Sequence, residues 1–127
     1  KRIMKQTDFC PFCNKSEFIM ENEYWICIYD NYPVSNGHTL IIPKRHFKNY
    51  FLSTELERSS FDKILFDVKG YLDKEHSPDG YNVGFNVNEE GGQSIFHCHI
   101  HVIPRYRGDV ENPRGGVRGV IPSKQNY

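Results

Sequence analysis

No excess of one charge runs through this chain: sixteen Lys and Arg stand against sixteen Asp and Glu in 127 residues. That balance excludes the broad basic field by which proteins hold duplex DNA or an anionic membrane, so neither a nucleic-acid polymer nor a membrane is expected as a partner. No apolar run approaches the roughly 18 residues of a membrane span, and no signal-peptide pattern opens the chain, so a cytoplasmic location is expected. Cysteine is scarce. Cys10, Cys13, Cys27 and Cys98 accompany ample Phe, Tyr, Ile and Val, so a disulfide-stapled mini-protein is not required. Internal repeats are lacking too, and the length predicts a single domain over 1–127.

What is present reads as an α+β chain. Phe18 to Tyr29 is rich in aromatic and branched residues and breaks at Glu21-Asn22-Glu23, which predicts a hairpin. Turn formers crowd Asp30 to Gly37, and His38 to Ile42 then reads as a buried strand ending at Pro43. Thr54, with Glu57 three residues on, predicts a capping box; Phe61, Ile64, Leu65, Val68 and Leu72 form one apolar stripe, giving a helix over about 54–76. His76 is read as capping the helix end or as solvated. Tyr81, Val83, Phe85 and Val87 alternate with asparagines and a glycine, a half-buried strand with a polar face, antiparallel to a further strand over 95–104. The tail, 105–127, mixes Gly and Pro with four arginines and predicts an irregular segment.

The chemistry gathers in one strip. His97, His99 and His101 alternate with Cys98, Ile100 and Val102, so in a strand the imidazoles share one face. Such a strip suits either a metal site or a nucleophile flanked by imidazoles that orient it and move protons. Just upstream, Gly91-Gly92-Gln93-Ser94 offers close backbone approach and side-chain donors, the makings of a phosphate cradle. Cys27, within Trp25-Ile26-Cys27-Ile28, reads as a buried, quiet thiol. Cys10-Pro11-Phe12-Cys13 is spaced as a two-thiolate knuckle, but a tetrahedral zinc needs two more ligands and no second cysteine pair exists, so histidines must complete it. A redox pair is the lesser reading, because the βαβ context of a thioredoxin-type motif is absent.

His97-Cys98-His99-Ile100-His101-Val102-Ile103 resembles the signature of the histidine triad (HIT) superfamily. Gly37-His38-Thr39-Leu40-Ile41-Ile42-Pro43 with His46, the stretch Asn86 to Ser94, and Pro104-Arg105-Tyr106 extend the resemblance over about 10–106. It implies a nucleotide-binding fold with a five-stranded antiparallel sheet, paired into a homodimer across helix and sheet edge. The family's nucleophile, its middle histidine, falls on His99. The third falls on His101, which would contact phosphate and leaving group; members with glutamine there resemble nucleotidyl transferases such as galactose-1-phosphate uridylyltransferase, so His101 favours the hydrolases. By the same match Asp30 would hold ribose hydroxyls, Asn86, Ser94 and the Gly92 to Ser94 backbone, with Gln93, would serve the phosphate, and Ile28 would lie against the base.

Similar prokaryotic members imply a structural Zn²⁺ on Cys10, Cys13, His46 and His97. His38 is read either as support behind the site or as a buried structural histidine. The expected activity is hydrolysis at the α-phosphorus of a dinucleoside polyphosphate or nucleoside phosphoramidate through a nucleotidyl-histidine intermediate. The competing readings are a nucleotide-binding sensor or scaffold with incidental turnover, and a metalloenzyme with zinc on the triad itself. In the tail, Arg105, Arg107, Arg114 and Arg118 alternate with glycines; they read either as a polyphosphate clamp, with Arg114 or Arg118 beyond the scissile phosphate, or as solvated partners of Asp109 and Glu111.

Overall fold

A computed structural model describes residues 10–127; Asp8 and the rest of 1–9, part of the expected domain span, lie outside the described residues. Five strands form one antiparallel sheet: β1 (Met20–Glu21), β2 (Trp25–Tyr29), β3 (Thr39–Pro43), β4 (Gly80–Gly84) and β5 (Ile100–Arg105), in the order β1-β2-β3-β5-β4. One long helix, α1 (Glu55–His76), crosses a single face. Among the described residues no helix is long and apolar enough to cross a membrane.

The period of two along each strand separates two cores. Trp25, Cys27, Ile41, Ile100 and Val102 pack with Ile64, Val68 and Leu72 of α1, while Ile26, Ile28, Leu40 and Ile42 pack with Phe12 on the opposite face. The helix begins where its capping box predicts: Glu57 N–H donates to Thr54 Oγ1 (3.1 Å) and Thr54 N–H to Glu57 Oε1 (2.8 Å). Glu57 is buried and also accepts both Nη2 (2.8 Å) and Nε (3.1 Å) of Arg45, and this guanidinium holds its carboxyl below the usual carboxylate range against the opposing effect of burial. Arg45 adjoins His46, so the ion pair ties the loop after β3 to the helix start.

Gly37 and His76 meet at the far end of α1. Gly37 has φ of +88°, and a Cβ there would stand 2.9 Å from the His76 ring, so glycine permits both the turn and the contact. His76 therefore does more than cap the helix: its Nε2 lies 3.1 Å from the Tyr29 hydroxyl.

Two expected strands are shorter than their alternation predicts. The strand expected over 95–104 begins only at Ile100, because β3 pairs with Ile100 to Val102 and upstream Cys98 N–H donates instead to Phe47 O (2.7 Å). Its partner stops at Gly84, opposite His101, because no ladder remains beyond it; Val83 and Phe85 are exposed rather than packed under the helix. The tail is irregular as expected, apart from 3₁₀ turns at Gly116–Val120 and Pro122–Lys124.

Candidate functional site

The site lies on the sheet face away from α1, at the entrance to β5. A cavity of about 440 Å³ is lined there by Ile28, Asp30, Asn86, Gly92, Ser94, His99 and His101, seven residues that the sequence reading singled out. Gly84, across from His101, adds no side chain on that face.

Hydrogen bonds to main-chain groups settle which nitrogen of each imidazole carries a proton. His99 Nδ1 lies 2.8 Å from His97 O, a carbonyl that can only accept, so Nδ1 is the protonated nitrogen and Nε2 keeps its lone pair. At His38 the order is reversed. Val34 N–H donates to its Nδ1 (3.0 Å), leaving Nε2–H to donate to His101 Nδ1 at 2.9 Å, with Asp30 Oδ2 at 3.4 Å. His101 is then protonated at Nε2 and can donate into the cavity. The support role for His38, one of its two expected readings, is the one the geometry favours.

Burial holds both of these histidines neutral. It lowers His38, against the opposing pull of Asp30, and lowers His101 to about 4, with His99 and His38 adding repulsion and Asp30 resisting. A histidine kept neutral by the fold binds fewer protons than in the unfolded chain. Its contribution to stability is therefore complete above about pH 6.5 and is lost as the pH falls toward 4, where the folded state also takes up the proton. Melting curves between pH 7 and 4 should fall less steeply for His101→Gln than for the unsubstituted protein. Parallel curves would show that His101 is not held neutral.

A second cluster stands behind the first. Cys10 Sγ lies 3.2 Å and Cys13 Sγ 3.4 Å from His97 Nδ1, Cys13 Sγ lies 3.1 Å from His46 Nδ1, and the two Nδ1 atoms are 3.0 Å apart. Fully buried His97 donates Nε2–H to Pro43 O (3.0 Å), so its Nδ1 turns a lone pair to both sulfurs, the arrangement by which a main-chain carbonyl orients a metal-ligating imidazole. Burial and the neighbouring Cys10 push the Cys13 thiol up to about 12, so protein groups alone do not ionise it. Tetrahedral coordination with metal–nitrogen bonds of about 2.0–2.1 Å separates two nitrogens by about 3.3 Å, close to what is seen. The four residues thus fit a divalent metal.

Asp30, His38 and His101 also have ligand atoms within 4.8 Å of one another. Both His38 nitrogens are committed to hydrogen bonds, so this trio offers no comparable set of lone pairs.

Three sequence readings are placed differently. Gln93 is buried and turned from the cavity: Oε1 accepts from Asn88 N–H (2.9 Å), and Nε2 donates to Lys48 O (2.7 Å) and Ile95 O (3.1 Å). It braces the loop that carries Ser94. The Gly92 and Gln93 N–H groups already donate to Glu89 O and Asn88 O, which leaves Ser94 as the cradle's free member. The tail arginines line neither this cavity nor its neighbour in their own chain. Arg105 pairs with Asp109 (2.7 Å), and Arg114 and Arg118 lie 4.7 and 4.6 Å from the Tyr127 ring. Phe12, Lys15, Asn31 and Tyr32 line the cavity without having been expected. For Phe12 a signal existed in its place between the two cysteines; for the others no local pattern marks them.

The HIT domain pattern matches residues 12–108 of the chain. A solved structure described as a hypothetical histidine triad nucleotide-binding protein from Sulfolobus tokodaii is 40% identical, with a TM-score of 0.68, covering 72% of this chain and 61% of that one. A zinc-bound histidine triad family protein from Mycobacterium smegmatis is 27% identical with a TM-score of 0.73, covering 84% and 81%. Among named relatives, the adenylylsulfatase HINT3 of Arabidopsis thaliana is 33% identical over 72% of this chain, which spans 46% of that protein.

Proposed function

The chain belongs to the HIT domain family, and on that premise we propose that it hydrolyses a small nucleotide at its α-phosphorus, with His99 as the nucleophile. The observation that carries this reading is the proton arrangement at the triad: His99 presents an unprotonated Nε2 while His101, fed from His38, presents a protonated one, both on one cavity. Nucleophile and acid are thereby set side by side at neutral pH.

The nucleoside would lie against Ile28 with its ribose hydroxyls on Asp30, and the phosphate would meet Asn86, Gly92, Ser94 and His101. His99 Nε2 forms a bond to phosphorus as the bridging bond to the leaving group breaks, the electron pair departing with the leaving group. The charge that develops on the imidazole is held by the Nδ1–H donated to His97 O. Water then cleaves the nitrogen–phosphorus bond, releasing the nucleoside monophosphate and restoring His99. Support for hydrolysis comes from the adenylylsulfatase relative, and for zinc as the metal of the Cys10, Cys13, His46 and His97 set from the zinc-bound structure. Zinc there would brace the fold beneath the triad and takes no part in the steps above.

Turnover of adenosine and guanosine polyphosphates and phosphoramidates by the purified protein tests the assignment. Nucleotide binding without hydrolysis of any of them would make the protein a sensor or scaffold instead.

Edge strand β4 leaves its outer backbone unpaired in this chain, and Val83, Phe85, Phe51 and Leu56 are exposed near it or on the start of α1. A homodimer closing over this edge is part of the proposal. Light scattering on the eluted protein should give twice the chain mass, and Val83→Lys should shift it to the monomer; a monomeric unsubstituted protein refutes the pairing.

A further inference from the structure

A second cavity, about 510 Å³, adjoins the one that holds His99 and His101, and the two share Lys15, Ile28 and Asn31. Each is of a size for one small ligand, since single-ligand pockets run from roughly 300 to 1,000 Å³. The second is walled by Phe18 and Tyr29, which are 38% and 41% exposed, with Glu17 beside them. Solvent-facing aromatic rings with an adjacent polar group suit a planar base and its sugar.

Lys15 is the lone permanent cation among the residues lining the first cavity, where the nearest fixed charge of opposite sign is Asp30. It stands where the two cavities meet. A leaving group as small as an amine or a sulfate would depart from the first cavity alone and would use neither Lys15 nor the aromatic wall beyond it. A chain of phosphates carrying a second nucleoside would need both: a cation at the crossing and a surface on which the far base can stack.

We propose that the second cavity receives the leaving half of a dinucleoside polyphosphate, with its phosphates passing Lys15 and its base resting on Phe18. This rests on the hydrolase reading and narrows it to one substrate class. For diadenosine tetraphosphate, His99 Nε2 takes the adenylyl phosphorus, the α–β bridging oxygen leaves with its electron pair as part of ATP, and water returns AMP; substrate and one water balance against AMP and ATP.

The test compares kcat/KM for diadenosine tetraphosphate with that for adenosine 5′-phosphoramidate, whose leaving group cannot reach the second cavity. In Lys15→Ala the ratio of tetraphosphate to phosphoramidate should fall about tenfold or more, as for loss of one charge-assisted contact, and Lys15→Arg should restore most of it. In Phe18→Ala the ratio should fall about fivefold or more, the loss of one stacked base, with the phosphoramidate rate within twofold of normal. An unchanged ratio in both variants overturns the second subsite, as does an unsubstituted protein that cleaves the phosphoramidate and not the tetraphosphate; in either case the hydrolase reading stands. Failure to cleave either compound overturns that reading and the subsite with it.

Discussion

Replacing His99 with alanine should lower kcat by about 10³-fold or more while nucleotide binding stays within a few-fold, because the imidazole forms the covalent intermediate and the cavity walls that hold the nucleotide remain. The Nδ1–H bond to His97 O fixes its ring plane and its tautomer, and no other unprotonated nitrogen on the cavity is so placed: His101 Nδ1 is occupied by His38. Phe12 packs against the ring with centroids 5.1 Å apart, limiting its rotation. Intact mass after rapid quenching should show a nucleotidyl adduct on the unsubstituted protein and none on His99→Ala. Turnover by His99→Ala near the normal rate would remove His99 from the chemistry, and a demonstrated metal-bound water in place of an adduct would replace the mechanism.

The second large effect belongs to the metal set. Protein purified without chelator should carry about one zinc per chain, and Cys10→Ser or Cys13→Ser should reduce that to near zero and lower Tm by more than about 10 °C, since the free energy of binding a structural zinc adds directly to folding free energy. The loss reaches the site through Phe12, which lies between the two cysteines, is 8% exposed, and contacts the rings of both His97 and His99. Releasing the knuckle therefore frees one wall of the cavity as well as the turn before β1. Elemental analysis without zinc, or metal located on His99, would sink the assignment; so would a Tm unchanged by either serine substitution.

Much of this architecture is legible along the chain because local rules govern it. The capping box at Thr54 and Glu57 joins residues three apart, the α1 stripe repeats every turn, and the hairpin break at Asn22 is a single residue's work: its Oδ1 accepts from Tyr24 and Trp25 N–H. Burial in the strands follows the same alternation, with Cys98, Ile100 and Val102 in the helix-side core as their spacing predicts. The three triad histidines do take the other side of the sheet, although only His101 lies within a ladder.

The strand limits were less legible, because a strand ends where its partner ends and not where its own pattern does. Tyr81 to Val87 keeps its alternation past Gly84, but β5 offers nothing to pair with there. Gln93 shows the same limit for a site. Beside two glycines and a serine it reads as a phosphate donor, but Lys48 O, 45 residues away in sequence, claims its amide. Arg114 and Arg118 have the composition of a clamp and are turned instead to Tyr127.

By itself, then, the sequence determined the fold class, the helix and its cap, the two-sided strands and the identity of the triad, since each depends on spacing within a turn or a pleat. Tertiary structure decided the states of those groups. That His38 protonates His101 across 63 positions, that Pro43 O aims His97 at two sulfurs 87 and 84 positions away, and that Lys15 stands between two cavities all depend on where distant segments come to rest. A side chain's tautomer and its neighbouring charge are properties of such contacts, and no period along the chain encodes them.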